Sequence, residues 1–172
     1  MNYGICTEEN FQKIKEINGD GYIDLWDRSK DLIACEKMVS KIKGWNKMSE
    51  NKRFLALSDA CNKKSRYCLA TRSEFHFYNK QNDLVCRDYA KMYMRIAGVI
   101  SENARSEYIV NKGATHAVAV VNIGSNYWEG NNQYLSKHFK CQKYSLRAIY
   151  REDKKRVGTP LVMDFLDANG IN

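Results

Sequence analysis

The sequence predicts an α+β fold in which the helices come first along the chain and the strands follow. Apolar residues recur at helical spacing through the first half, and from Tyr108 onward short β-rich segments alternate with turns. The 172 residues are enough for one hydrophobic core. We therefore expect a single domain over 1–172, with a mainly helical part at 1–80, a mixed part at 81–150 and a C-terminal helix at 158–170.

Three helices are predicted in the first part of the chain. The first covers 8–17 and ends at an Asn-Gly-Asp-Gly turn. The second covers 25–43, because its apolar positions fall on one face and Gly44 would end it. The third covers 47–61. The segment 67–78 contains alternating β-formers, which favours an extended conformation.

The clearest helix of the sequence follows, with Asp83 predicted as its N-cap and Gly98 as its end. An apolar stripe runs along it at positions i, i+4, i+7, i+8 and i+11, formed by Val85, Tyr89, Met92, Tyr93 and Ile96. On this prediction Cys86 stands three residues after the cap, in the first turn of the helix.

Strands are predicted after this helix, at 107–110, 115–123, 126–128 and 144–150. Turns that begin at Asn111 and at Gly124 join the first three of them. The pair Thr159-Pro160 combines a capping residue with a proline in the first turn, which indicates a last helix that closes at Gly170.

The composition restricts the partners of the chain. Basic side chains outnumber acidic ones by 28 to 20, which gives a net charge of +8 at pH 7. These charges are spread along the chain, no aromatic-basic RNA-binding motif is present, and no stretch has the length of a membrane span. We therefore expect a soluble monomer with a solvated basic surface and with neither nucleic acid nor membrane as partner. Its size and charge are compatible with a secreted toxin or effector.

A cysteine and a histidine stand where nucleophilic catalysis would need them. A helix N-terminus stabilises negative charge, so the predicted position of Cys86 favours a thiolate. A thiolate nucleophile needs a base, and His116 opens an apolar strand that could lie beside the start of the helix. A third polar group must orient the imidazole, and the returning strand offers Glu129, Asn131 or Asn132.

These residues resemble a known family. The string Cys86-Arg-Asp-Tyr-Ala is similar to the nucleophile signature of the transglutaminase-like superfamily, a branch of the papain-like cysteine enzymes. In that family the Cys helix is followed by a strand that begins at His, and then by a strand with Trp and, about three residues on, Asp. Here His116 follows thirty residues after the cysteine, and Trp128 and Asn131 come next. The resemblance covers roughly 81–135.

The resemblance implies a papain-like core in which the Cys-bearing helix packs on an antiparallel sheet. It implies that Cys86 attacks a carboxamide or peptide carbonyl of a protein or peptide substrate, with His116 and Asn131 completing the triad and no cofactor required. The product of that step is a thioester. Depending on what resolves it, the enzyme is a hydrolase of the thiol protease type, a glutamine deamidase or a transglutaminase.

The chain departs from the family pattern at two positions. Leu84 stands where a Gly two residues before the nucleophile is common, and Asn131 replaces the usual Asp, although papain itself uses Asn. Asn132 matches the spacing of papain almost as well, so the third triad member stays open between these neighbours and Glu129. By analogy with the papain Gln, Gln81 is a candidate second donor to the oxyanion.

A second motif lies at 16–27 and has the alternating oxygen ligands, the glycines and the final carboxylate of a Ca²⁺ loop. It resembles EF-hand and dockerin loops, although Glu16 stands where Asp is expected. It belongs to the alternative function, a non-catalytic binding module with a degenerate transglutaminase-like site, organised by Ca²⁺. Without an ion, the same segment is a Gly-rich turn with Asp24 as the N-cap of the second helix.

The chain contains six cysteines and no Cys-x-x-Cys pair, so a zinc ribbon is not supported. If Cys86 is the nucleophile, the other five can form at most two disulfides and leave one thiol. Their pairing is not predicted from the sequence, and the cysteines concerned are Cys6, Cys35, Cys61, Cys68 and Cys141.

Overall fold

A computed structural model of the chain describes residues 8–18, 24, 26–111, 116–137, 146–150 and 156–158. These residues form a mixture of helices and an antiparallel sheet, which confirms the α+β prediction. The helices are α1 (Glu8–Asn18), α2 (Ser29–Ser40), α3 (Glu50–Lys63) and α4 (Cys86–Ile100). The strands are β1 (Ser65–Tyr67), β2 (Asn82–Leu84), β3 (Arg105–Asn111), β4 (Ala117–Ile123), β5 (Asn126–Asn131), β6 (Tyr134–Ser136), β7 (Leu146–Tyr150) and β8 (Arg156–Gly158).

Six of the strands form one antiparallel sheet in the order β6-β5-β4-β3-β7-β8. Its centre is strongly apolar, and all seven residues of β4 are buried. In the register of the sheet, Ala119 lies opposite Tyr108 on one side and opposite Gly130 on the other. The remaining two strands, β1 and β2, form a separate parallel pair that leads directly into α4.

Helix α4 packs on one face of this sheet and forms the main core with it. Its apolar stripe is fully buried, as the sequence predicts, and it meets the small side chains of Ala117 and Ala119. The approach is close at Gly130, where an added Cβ would lie 2.3 Å from the ring of Tyr93. A glycine is therefore required at this position by packing.

Helix α3 packs against α4 and contributes to the same core. It begins at an N-cap, Ser49, whose hydroxyl accepts a hydrogen bond from the backbone of Lys52. Phe54 is fully buried and lies against Trp128, with 5.8 Å between ring centroids. The indole N–H of Trp128 donates to Asn51 Oδ1 at 2.8 Å, so β5 is tied to α3 by both an apolar and a polar contact.

The start of α4 differs from the prediction. The helix begins at Cys86 with Val85 as N-cap, and Asp83 belongs to β2. Asp83 is not free to cap the helix because its carboxylate binds Arg66, with 2.6 Å from Nε to Oδ1, and the hydroxyl of Thr71. The helix also continues through Gly98 to Ile100, since a glycine inside a well-packed helix lowers its stability without ending it.

Other elements are shorter or longer than predicted. Helix α2 occupies only the central part of the predicted 25–43, and the predicted extended segment 67–78 is largely irregular, with a strand only at Ser65–Tyr67. The four predicted strands are all present. Gly158, where the last predicted helix (158–170) begins, is the final residue of β8, and the rest of that helix and the turn after Asn111 lie outside the described residues. No helix in the described part of the chain is long and apolar enough to cross a membrane.

Candidate active site

The first residue of α4 is Cys86, which is 8% exposed. The first backbone N–H groups of a helix have no hydrogen-bond partner within the helix, and they project outward from its N-terminal end. A thiolate or an oxyanion at this end would therefore meet the positive end of the helix dipole. Cys86 stands closer to that end than the sequence predicts, because the helix starts at the cysteine itself.

His116 and Asn131 are in direct contact at one end of the sheet. His116 immediately precedes β4 and Asn131 is the last residue of β5, and Nε2 of the histidine lies 2.8 Å from Oδ1 of the asparagine. Continuing the β4–β5 register sets Asn131 opposite Val118, so the two side chains are diagonal neighbours within reach of one another. Because an amide oxygen can only accept, Nε2 carries the proton and Nδ1 is the basic nitrogen.

Burial lowers the pKa of His116, and the hydrogen bond with Asn131 opposes this effect only in part. The asparagine carries no charge, so it orients the imidazole without the electrostatic support that a carboxylate would add to the imidazolium. The ring is therefore kept neutral at neutral pH, which is the form that can accept a proton.

Hydrogen bonds join α4 to the turn that follows Asn131. The Tyr93 hydroxyl donates to the carbonyl of Asn132 at 2.6 Å, directly after Asn131. One turn earlier, Tyr89 is linked through Ser65 to Gln133: the Ser65 hydroxyl donates to Tyr89 at 3.2 Å, and Gln133 donates to the Ser65 carbonyl at 3.4 Å. Cys86 is a further turn toward the N-terminus of α4. The helix packs on the sheet face that carries Gly130, whereas strand alternation directs the neighbouring Asn131 to the other face.

An arginine that the sequence analysis did not identify holds the start of α4. Arg72 binds Asp88 with both ends of its guanidinium, at 2.9 Å and 3.0 Å, and Asp88 also accepts the N–H of Val85 at 2.9 Å. The hydrogen bond to Asp88 raises the pKa of Arg72, and the charge of Asp88 raises it further. The signal in the sequence was Asp88 itself, since an acidic residue in the first turn often binds the backbone of the N-cap.

The other candidate site residues do not take the positions that the sequence suggested for them. Asn132 adopts a positive φ of 50° in the turn after β5 and offers its carbonyl to Tyr93, while Glu129 lies in mid-strand opposite Val120. The bond to the histidine is made by Asn131. Gln81 is exposed before β2, and the extended β2 puts it roughly 15 Å from Cys86 at about 3.3 Å per residue. Gln81 is therefore too distant to be the second oxyanion donor.

Much of the segment 16–27 lies outside the described residues, and two of its carboxylates are engaged elsewhere. Asp24 binds Arg95 through both oxygens, at 2.9 Å and 3.0 Å, instead of capping the second helix. Asp27 Oδ1 accepts from the backbone and hydroxyl of Ser29 at the start of α2. Within the part of the chain that the structure describes, no group of three His, Cys, Asp or Glu could hold a metal ion.

The four cysteines in the described part of the chain are free thiols. Burial raises the pKa of Cys35 to about 11 and also raises that of Cys61, so both are poor nucleophiles. Cys68 differs, because a hydrogen bond from the Thr71 hydroxyl lowers its pKa and its side chain is partly exposed. Cys6 and Cys141 lie outside the described residues.

Comparison with known proteins gives no relative. No protein-family model matches the chain, and neither the curated proteins nor the solved structures contain a match.

Proposed function

We propose that this chain is a cysteine-dependent acyl-transfer enzyme that acts on protein or peptide amides, with a papain-like core. One observation carries the proposal: the histidine and the asparagine predicted from the sequence are hydrogen-bonded at 2.8 Å, and Cys86 is the first residue of the helix that packs on the same sheet. The two residues are fifteen apart in the chain, and the β4–β5 pairing brings them together.

The reaction begins with transfer of the thiol proton from Cys86 to Nδ1 of His116, while Asn131 holds Nε2. The sulfur attacks the carbonyl carbon of the amide, and the oxyanion is stabilised by the backbone N–H groups of the first turn of α4. As the C–N bond breaks, the imidazolium returns its proton to the leaving nitrogen. This leaves a thioester on Cys86 and a neutral imidazole.

The second step decides the type of enzyme. Water that attacks the thioester of a cleaved peptide bond makes the chain a thiol protease, and water on the thioester of a glutamine side chain makes it a deamidase. A primary amine in place of water makes it a transglutaminase. The same three residues serve all three outcomes, so the proposal is one reaction class.

Alkylation of Cys86 tests the proposal. Because Cys68 is partly exposed and its pKa is lowered, the measurement uses a Cys68→Ser background. We expect iodoacetamide at pH 6 to modify Cys86 at least tenfold faster than a free thiol such as glutathione, with His116→Ala removing the advantage. A rate equal to that of glutathione, unchanged by His116→Ala, would instead favour the non-catalytic binding module.

Mass spectrometry then identifies the product. A mixture of soluble proteins is incubated with the unmodified enzyme or with Cys86→Ala. New peptide termini, a mass increase of about 1 Da on glutamine, or crosslinked peptides distinguish the three outcomes. All of them must be absent with Cys86→Ala.

A further inference from the structure

An open groove of about 670 Å³ runs between α2 and α3, away from the candidate active site. Its floor is apolar, with Met38 from α2, Ile42 two residues after the end of α2, and Ala56 and Ala60 from α3. Ala56 and Ala60 are one helical turn apart, so both face the groove from the same side of α3. Tyr78, 47% exposed, closes one end.

The rim of this groove is basic. Four lysines line it, namely Lys41 directly after α2, Lys63 at the end of α3, and Lys64 and Lys80 beyond α3. Asp59 is the acidic side chain among the lining residues, and Lys63 neutralises it at 3.2 Å. Lys64 is held by the carbonyl of Phe77 at 3.1 Å.

The remaining rim lysines are Lys41 and Lys80, and neither makes an ion pair with a described residue. Within the described part of the chain, the rim therefore carries positive charge that no carboxylate neutralises.

We propose that this groove docks an acidic amphipathic helix of a partner protein. Small alanines on one wall leave room for the partner's larger apolar side chains, and the lysines complement acidic residues flanking them. Helix α3, at 14 residues, is about 21 Å long and can accompany three to four turns of a partner. A membrane surface is less suitable, because it requires apolar side chains that project outward, whereas these lie at the bottom of a groove.

A synthetic probe tests this inference without knowledge of the natural partner. The probe is a fluorescein-labelled 14-residue helical peptide with leucines at i, i+3, i+4 and i+7 on one face and glutamates on the other. We expect saturable binding with a micromolar Kd by fluorescence anisotropy at physiological salt. A scrambled peptide of the same composition should bind at least tenfold more weakly.

Matched charge variants identify the groove as the binding site. Lys41→Glu with Lys80→Glu should weaken binding of the probe at least tenfold, whereas Lys43→Glu with Lys47→Glu changes the same net charge outside the groove and should change the Kd less than twofold. Ala60→Trp should also abolish binding by filling the floor.

Three results would overturn the inference. They are equal loss of binding in both charge variants, equal binding of the scrambled peptide, and absence of binding by the unmodified protein. Cosedimentation with phosphatidylglycerol vesicles that depends on Lys41 and Lys80, without peptide binding, would also overturn it by assigning the surface to a membrane. The inference is independent of the proposed acyl transfer, so Cys86→Ala should bind the probe normally.

Discussion

The imidazole of His116 is held where its neutral form is favoured. Its burial lowers its pKa, and its partner Asn131 contributes a dipole but no charge. A transglutaminase-like site with Asp in this position would favour the imidazolium. With asparagine in this position the neutral imidazole is favoured at neutral pH, which is the form that the proposed acyl transfer requires.

A pH dependence of stability follows from this lowered pKa. The unfolded state takes up a proton near pH 6.5, before the folded state does, so stability is present above that pH and is lost as the pH falls toward the folded pKa. Between pH 7.5 and 5.5, urea unfolding should show that the unmodified protein loses up to about 1 kcal/mol more stability than His116→Gln. Taking the difference between the two proteins cancels the other titrating groups. An equal loss in both would contradict the prediction.

The substitution Asn131→Asp should favour the charged form of His116 over the neutral form. A carboxylate at the present 2.8 Å contact favours the imidazolium, so the pKa of His116 should rise by roughly one to three pH units. The measurement is an NMR titration of the imidazole Cε1–H resonance that is missing in His116→Gln. Asn132→Asp is the control and should move this resonance's midpoint much less, because Asn132 contacts α4 through its backbone.

At the scale of elements, the start of α4 depends on a contact between distant parts of the chain. Arg72 lies in an irregular segment sixteen residues before Asp88, and its ion pair with that buried carboxylate holds the N-terminal turn. Arg72→Ala should lower the free energy of unfolding by about 2 kcal/mol, because it leaves Asp88 buried and unpaired. Arg66→Ala breaks a similar pair at a more exposed site and should cost less than about 1 kcal/mol. Equal losses in urea denaturation would refute the distinction.

The close approach of α4 to β5 depends on Gly130, which has no side chain. Gly130→Ala would place a Cβ 2.3 Å from the Tyr93 ring and should destabilise the protein by about 1–3 kcal/mol. Gly98→Ala is the matched control, since its Cβ would meet the flexible end of Arg28 at 3.3 Å inside a helix and should be neutral or stabilising by up to about 1 kcal/mol. Thermal unfolding of both variants checks the opposite signs.

These contacts explain which elements the sequence could predict. The long helix has a strong apolar periodicity and β4 is a nearly continuous apolar run, so the sequence predicts both. The N-cap was misassigned because Asp83 binds Arg66, whose approach depends on the three-residue β1–β2 pair. The His116–Asn131 contact could be predicted because adjacent antiparallel strands fix it, whereas Arg72 could not, since an irregular segment carries no register.

At the scale of the whole molecule, α1 covers the face of the sheet opposite α4. Phe11 is 1% exposed and lies 5.9 Å from Tyr127 between ring centroids, while Glu8 binds Arg105 and the Tyr127 hydroxyl. By strand alternation Tyr127 points away from the face of its neighbour Trp128, which belongs to the α4 core. The sheet is therefore the middle layer between helices.

Helix α1 should unfold together with the sheet and the core on its other face. Phe11→Ala removes a buried ring and should cost about 3 kcal/mol. Because α1 is part of the same cooperative unit, circular dichroism at 222 nm and tryptophan fluorescence should report the same shifted midpoint. Leu55→Ala, at a 47% exposed position, should shift it little. An early circular dichroism transition without a fluorescence change would mean that α1 melts separately.

The side chain of Tyr93 connects α4 to α3, to β5 and to the turn after β5. Its ring lies against Gly130, its hydroxyl donates to Asn132, and it accepts a hydrogen bond from Asn62 of α3 at 3.1 Å. These contacts fix the helix that begins with Cys86 to the turn that follows Asn131. A displacement of this helix therefore moves the turn with it, so a change in the distance between Cys86 and Asn131 is opposed by the contacts of Tyr93.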